Sequence, residues 1–248
     1  MELKFLFITE SKNLNDDRFK DIWMYFDKPF FINLKYDIKE PVKKKIKFDN
    51  YKDVFTLLKK GLIIQGDNNL LITIYYRPYG TIEWRLNFES SDFDEYEKKI
   101  IFDFIFLIHR ICKLIYGRGT NEVEFNYKHL EQKTYEGIGS SVGWEGCSFW
   151  DFYDFLPGIY WLNIFSERLA NSLEVKIFDY VHYISNDYQL TIFHMKDELV
   201  NEQLSDRLKI ESEIVKELGK NYFFDITHKN NQKRHPDIFK SYLENLKS

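Results

Sequence analysis

The sequence predicts an α+β fold of mainly antiparallel sheet with helices packed on it. Three observations carry that prediction: apolar runs of strand length joined by turn-forming residues, longer stretches with apolar residues at helical spacing, and the order hairpin then helix, which occurs twice. Hydrophobic residues make up 44% of the 248 and aromatics 18%, with 17 Tyr and 23 Phe, so the chain has ample apolar mass to close a core. With only 5 Pro and 11 Gly, and no stretch rich in Gly, Ser or Pro to act as a linker, residues 1–248 read as a single domain. It admits two similar hairpin-plus-helix lobes, 1–127 and 128–248.

The elements follow in order. Residues 3–8 read as a first strand, and residues 51–60 as a short helix stopped by Gly61. Strands at 62–65 and 70–76 flank Gly66-Asp67-Asn68-Asn69, residue types that tolerate the positive φ of a hairpin loop. Arg77-Pro78-Tyr79-Gly80 turns the chain into a third strand, 82–88, completing a meander. Phe93, Tyr96, Ile100, Phe104, Leu107, Ile111 and Ile115 then recur at helical spacing, with Phe102 and Phe106 off that stripe, so this helix is expected to be buried on more than one side. Gly117-Arg118-Gly119 reads as the turn after it, and residues 128–136 as polar and poor in strand signal. In the second half, strands at 175–184 and 188–194 flank Ser185-Asn186-Asp187. A long helix at 197–218 stops at Gly219, residues 222–226 are a last strand candidate, and Pro236 suits the first turn of a helix carrying Phe239 to Leu246.

Composition narrows the function classes. Cys112 lies in an apolar helical run and Cys147 in a glycine-rich loop, so no disulfide framework is expected. The first residues lack the charged region, apolar run and small-residue site of a secretory leader. The longest apolar run, 100–108, is interrupted by Asp103 and is too short to cross a bilayer. A cytoplasmic chain without membrane contact is expected. The formal charge of −4 is unevenly placed: residues 28–60 hold ten Lys against four acids, whereas residues 140–195 hold two basic residues against seven acids. The lysine-rich stretch reads as a solvated face, and no direct nucleic-acid binding is expected.

Candidate chemistry concentrates between the two halves. Gly139-Ser140-Ser141-Val142-Gly143 matches the G-x-S-x-G nucleophile elbow, which would make Ser141 a hydrolase nucleophile. That device needs a buried strand before the Ser and a helix directly after it, and neither neighbour is predicted. The six histidines form no H-E-x-x-H, and there is no C-x-x-C, so no metal or cofactor is expected. His182 and His194 fall on two strands of one hairpin as cross-strand neighbours. Gly117-Arg118-Gly119 also lacks the Lys-Ser/Thr of a phosphate loop. Seven of the 11 glycines and three of the five tryptophans fall between residues 117 and 161. Large aromatics filling a joint between lobes would account for that composition, and so would a surface used for binding.

The tract Leu156-Pro157-Gly158-Ile159-Tyr160-Trp161-Leu162-Asn163-Ile164-Phe165, with the helix-like segment 166–173 after it, resembles the Pro-Gly-x-x-Trp-x-Asn signature of bacterial polymorphic-toxin immunity proteins. The aromatic strand around Trp84 and the amphipathic helix after it look similar too, so the resemblance covers about residues 62–195. It implies a cytoplasmic antidote that binds a cognate secreted toxin, often a nuclease, delivered by contact-dependent or type VI secretion, and neutralises it by stoichiometric inhibition. Within the signature, Trp161 is expected to pack and Asn163 to bond a turn backbone. Aromatic anchors inside a ring of charge suit a tight protein interface, which makes Trp144, Trp150 and Tyr153 the expected anchors and Glu145, Asp151 and Asp154 the charges facing a basic toxin groove. A serine hydrolase using Ser141 and a protein-binding regulatory module unrelated to toxins are the alternatives.

Overall fold

In a computed structural model of the chain, the structure describes residues 1–77, 80–135, 139–144, 156, 158–173, 175, 178, 181–184, 189–201 and 203–223. The first strand, β1 (Glu2–Glu10), is followed by helix α1 (Asp16–Tyr25), the short strands β2 (Lys35–Asp37) and β3 (Lys44–Lys45), and helix α2 (Tyr51–Leu58). The predicted meander is present as β4 (Leu62–Gln65), β5 (Leu71–Arg77) and β6 (Thr81–Glu89), leading into helix α3 (Glu95–Cys112) and strand β7 (Leu114–Asn121). Helix α4 (Glu122–His129) precedes the paired strands β8 (Leu130–Tyr135) and β9 (Gly139–Trp144). Strand β10 (Leu162–Ser166), helix α5 (Glu167–Ser172), the hairpin β11 (Val181–Ile184) and β12 (Leu190–Met195), and helix α6 (Ser205–Leu218) complete the series.

Ten strands form one antiparallel sheet in the order β11-β12-β10-β7-β1-β6-β5-β4-β2-β3, while β8 and β9, among the described residues, pair only with each other. This is the predicted α+β class. The N-terminal strand sits inside the sheet, between β6 and β7, both antiparallel to it. Since β6 and β7 therefore run the same way, they need a crossover, which α3 provides. Phe5 and Phe7 point to the α3 side, where Phe7 meets Phe104 edge-on at 6.2 Å. Lys4 points to the other side and lies over the Phe125 ring of α4. Every residue of β7 is buried, because helices cover both of its faces.

Several expected boundaries are corrected. The Gly117-Arg118-Gly119 segment is the middle of a central strand, not a turn. A Cβ on Gly119 would lie 2.6 Å from Phe5 Cε1, and one on Gly117 would lie 3.0 Å from Phe7 Cδ1, so these glycines leave room for the phenyl rings of the neighbouring strand. Helix α3 begins after Phe93, because Asp94 caps it by accepting from the Glu97 N–H. It stops at Lys113, which has φ 58°, so Ile115 belongs to β7. Helix α6 starts at Ser205 rather than residue 197. The Glu198 carbonyl accepts from Arg207, and the Leu199 and Asn201 carbonyls from Asn121, which withdraws them from a helical ladder. The strand expected from residue 175 starts at Val181, since the Val175 N–H closes α5 on the Ala170 carbonyl. The polar residues after α4 and the glycine-rich stretch 139–144 are strands, pairing Leu130 with Trp144 and Tyr135 with Gly139. Tyr222 ends a single 3-10 turn and Phe223 bridges Leu156, while the rest of that strand candidate and the helix after Pro236 lie outside the described residues.

Candidate functional site

The signature tract is built around its own hydrogen bonds. Asn163 is fully buried in β10, and its side chain embraces one residue: Oδ1 accepts from the Tyr160 N–H at 2.9 Å, and Nδ2 donates to the Tyr160 carbonyl at 2.6 Å. Trp161 is buried, donates from Nε1 to the Asp197 carbonyl at 2.7 Å, stacks on His194 at 4.7 Å and meets Phe93 edge-on. Gly158 has φ +134°, which an L side chain rarely adopts, and a Cβ there would stand 3.0 Å from Glu211 Oε1. Trp161 and Asn163 thus hold the turn into β10.

Around that turn is an ionic cluster that the sequence reading missed. Glu124 of α4 and Arg207 of α6 are both fully buried and pair at 3.1 Å. Glu124 also accepts from Thr120 Oγ1 at 2.6 Å and from Lys128 Nζ at 2.9 Å. Lys128 pairs in addition with Glu211 at 2.8 Å, donates to the Ile159 carbonyl, and lies over the Tyr160 ring at 4.3 Å. Arg118 of β7 stacks on the same ring from 4.5 Å and donates to its hydroxyl. Arg207 completes its bonding with Asp197 and the Glu198 carbonyl. Three cations and three carboxylates therefore share one largely dry region, where each charge is tolerable only because the others are present. Burial pushes the Glu124 carboxyl up, but Lys128, Arg207 and the Thr120 hydroxyl outweigh it and hold its pKa below the usual range. For Glu211, burial wins over Lys128 and the pKa is raised.

The cluster has a topological consequence. Helix α4 leads directly into β8, and Lys128 at its end, with Arg118 and Glu211, ties it to Ile159 and Tyr160 just before β10. In sequence, residues 130–157, which include the acidic aromatic run, lie between these two tied segments. Of the residues expected to face a toxin, Trp144 ends β9 opposite Leu130. Glu145, Trp150, Asp151, Tyr153 and Asp154 lie outside the described residues. Ser141 is in the middle of β9, in register with Lys133, and not on a strand-to-helix elbow. His182 and His194 are cross-strand partners with rings 5.1 Å apart, and burial holds the His194 pKa down. No group of three metal-binding side chains occurs among the described residues, and no described helix is long and apolar enough to cross a membrane.

No family model and no curated protein matches the chain. Among solved structures, the Pseudomonas aeruginosa T6SS protein PA0821 is similar over 98% of this chain and 81% of its own, with a TM-score of 0.54 and 9% sequence identity. At that identity the likeness is one of fold. A structure of the toxic C-terminal tip of CdiA from Pseudomonas aeruginosa in complex with an immune protein matches 49% of this chain and 88% of its own at 15% identity. Its TM-score is 0.28, too low to bear on this chain.

The i, i+4 pair Glu124/Lys128 is visible in the sequence, but such pairs usually decorate exposed helix faces. Nothing in their spacing distinguishes a buried pair.

Proposed function

We propose that this chain is an immunity protein that binds a cognate bacterial toxin in the cytoplasm and neutralises it by stoichiometric inhibition, without catalysis of its own. The observation that carries this reading is the clamp at the signature tract. Ile159, Tyr160, Trp161 and Asn163 are fixed where the chain enters β10, and in sequence they directly follow the run that holds Trp144, Glu145, Trp150, Asp151, Tyr153 and Asp154. A binding surface gains affinity when its supports are ordered before the partner arrives, because less ordering is left to be done on association. Fold likeness to a T6SS protein over nearly the whole chain supports a place in toxin delivery or defence. In this reading the aromatic residues of the run anchor the toxin and its acids steer a basic groove, such as that of a nuclease, onto it.

The test is protection. Cells expressing the chain should survive the toxin encoded beside its gene and still die from an unrelated toxin. Death from the neighbouring toxin despite abundant folded protein would refute the proposal.

A further inference from the structure

At the β3 end of the sheet, a solvent-open cleft of about 770 Å³ lies against β2, β3 and the segment after α1. Its floor is apolar, formed by Phe26, Phe31, Leu34 and Val42, all buried. Lys35 and Lys45 stand on its rim and are cross-strand partners, so two like charges face each other directly. That arrangement is unfavourable in the free protein. Neither makes an ion pair among the described residues, and the same holds for the exposed Lys39, Lys43, Lys44 and Lys47. Asp67 on the far rim is already engaged by the Asn33 amide at 2.7 Å. Beyond β3 no strand continues the sheet, so its outer backbone edge is open among the described residues.

From this we infer that the cleft is a docking site for an acidic, extended segment of a partner protein, which lies along β3, sets an apolar side chain on the floor and pairs its carboxylates with Lys35 and Lys45. Lysines on an edge strand also discourage unwanted pairing between sheets. That role alone would not call for a cleft with apolar side chains at its floor beside them. A protein segment suits the site better than a nucleic acid. Residues 19–76 contain no arginine, the side chain best shaped for phosphate. A strand-like peptide can use the open edge, the apolar floor and the charges together. The inference is independent of the toxin-neutralising role, since the acidic run assigned to the toxin has the opposite charge.

The test is selection of a random-peptide display library on the full chain. Enriched peptides should carry Asp or Glu around an apolar residue. Replacing that apolar residue by Ser should weaken their binding, and K35E/K45E should weaken it by about tenfold, the scale expected when opposed rim charges are reversed. The pair K59E/K60E, on exposed lysines outside the cleft, should change it by less than about twofold and serves as the control for diffuse attraction. Circular dichroism and melting curves would establish that both variants fold. The inference is overturned if no acidic peptide is enriched, if both lysine pairs matter equally, or if a single-stranded oligonucleotide binds the cleft more tightly than the selected peptides.

Discussion

Two regions of this molecule bury opposite materials. Under β1, β6 and β5 the interior is aromatic: Phe5, Phe7, Phe88, Trp84 and Phe104 pack ring against ring, and Trp84 Nε1 donates to Thr9 Oγ1 at 2.9 Å. Where β7 and β10 meet α4 and α6, the interior instead holds Glu124, Arg207, Lys128 and Asp197. The first region is held by apolar area, which is non-directional and tolerates small shifts. The second is held by charges that must meet in one geometry, and it gains position more than stability. The contrast matches their places in the chain: the aromatic region is the body of the sheet, whereas the ionic one ties the end of α4 to the residues just before β10.

Five variants would break or sharpen that contrast. The largest effect belongs to Phe104→Ala, which removes contacts with Phe7, Tyr25, Phe26 and Trp84 and should cost about 3–5 kcal/mol in chemical denaturation, as large aromatic cavities do. Glu124→Ala should cost nearly as much, about 3–5 kcal/mol, because Arg207 is left buried beside an empty position. Here the two regions part. Glu124→Leu combined with Arg207→Met should recover much of that loss, whereas a cavity has no such remedy. A double variant as unstable as the sum of its singles would show that the ionic region is not held by charge pairing.

Gly119→Ala comes next, at about 1–3 kcal/mol by thermal melting, since its methyl must displace the Phe5 ring. The smallest effect is in pH dependence. Because the Glu124 pKa is lowered on folding, its contribution is full above the ordinary carboxyl value of about 4.5 and is lost as pH falls through the folded value. Glu211 has the opposite sign: its raised pKa takes stability away as pH rises above 4.5. Urea midpoints measured through the acid range should therefore fall for the native chain and flatten in Glu124→Gln, by roughly 1.4 kcal/mol for each unit that the pKa is held down. An unchanged acid limb would mean that Glu124 is not ionised in the fold.

The same contrast explains what could be read from the sequence. Strands β4, β5 and β6 and helix α3 each bury one apolar pattern, so alternation and helical spacing marked them to within a few residues. Strand β7 escaped because its glycines, which read locally as a turn, are dictated by rings on the adjacent strand. Strands β8 and β9 escaped because their residues, polar in β8 and glycine-rich in β9, carry no strong alternation. The ionic cluster joins residues more than 80 positions apart, such as Glu124 and Arg207, and no local pattern records which charges meet inside. Asn163 and Trp161 were legible as structural residues, since a short polar side chain beside a Pro-Gly turn has few other uses.

Stoichiometric neutralisation is tested most directly by titrating a fixed amount of the purified toxin encoded beside this gene with the purified chain and following the toxin's activity. A protein that works by binding should lower that activity in proportion to the chain added, reaching zero near one chain per toxin molecule, with Ser141→Ala indistinguishable from the native chain. Inactivation by far less than one equivalent, increasing with time and abolished by Ser141→Ala, would contradict binding as the mechanism and make the chain an enzyme acting on the toxin or its product.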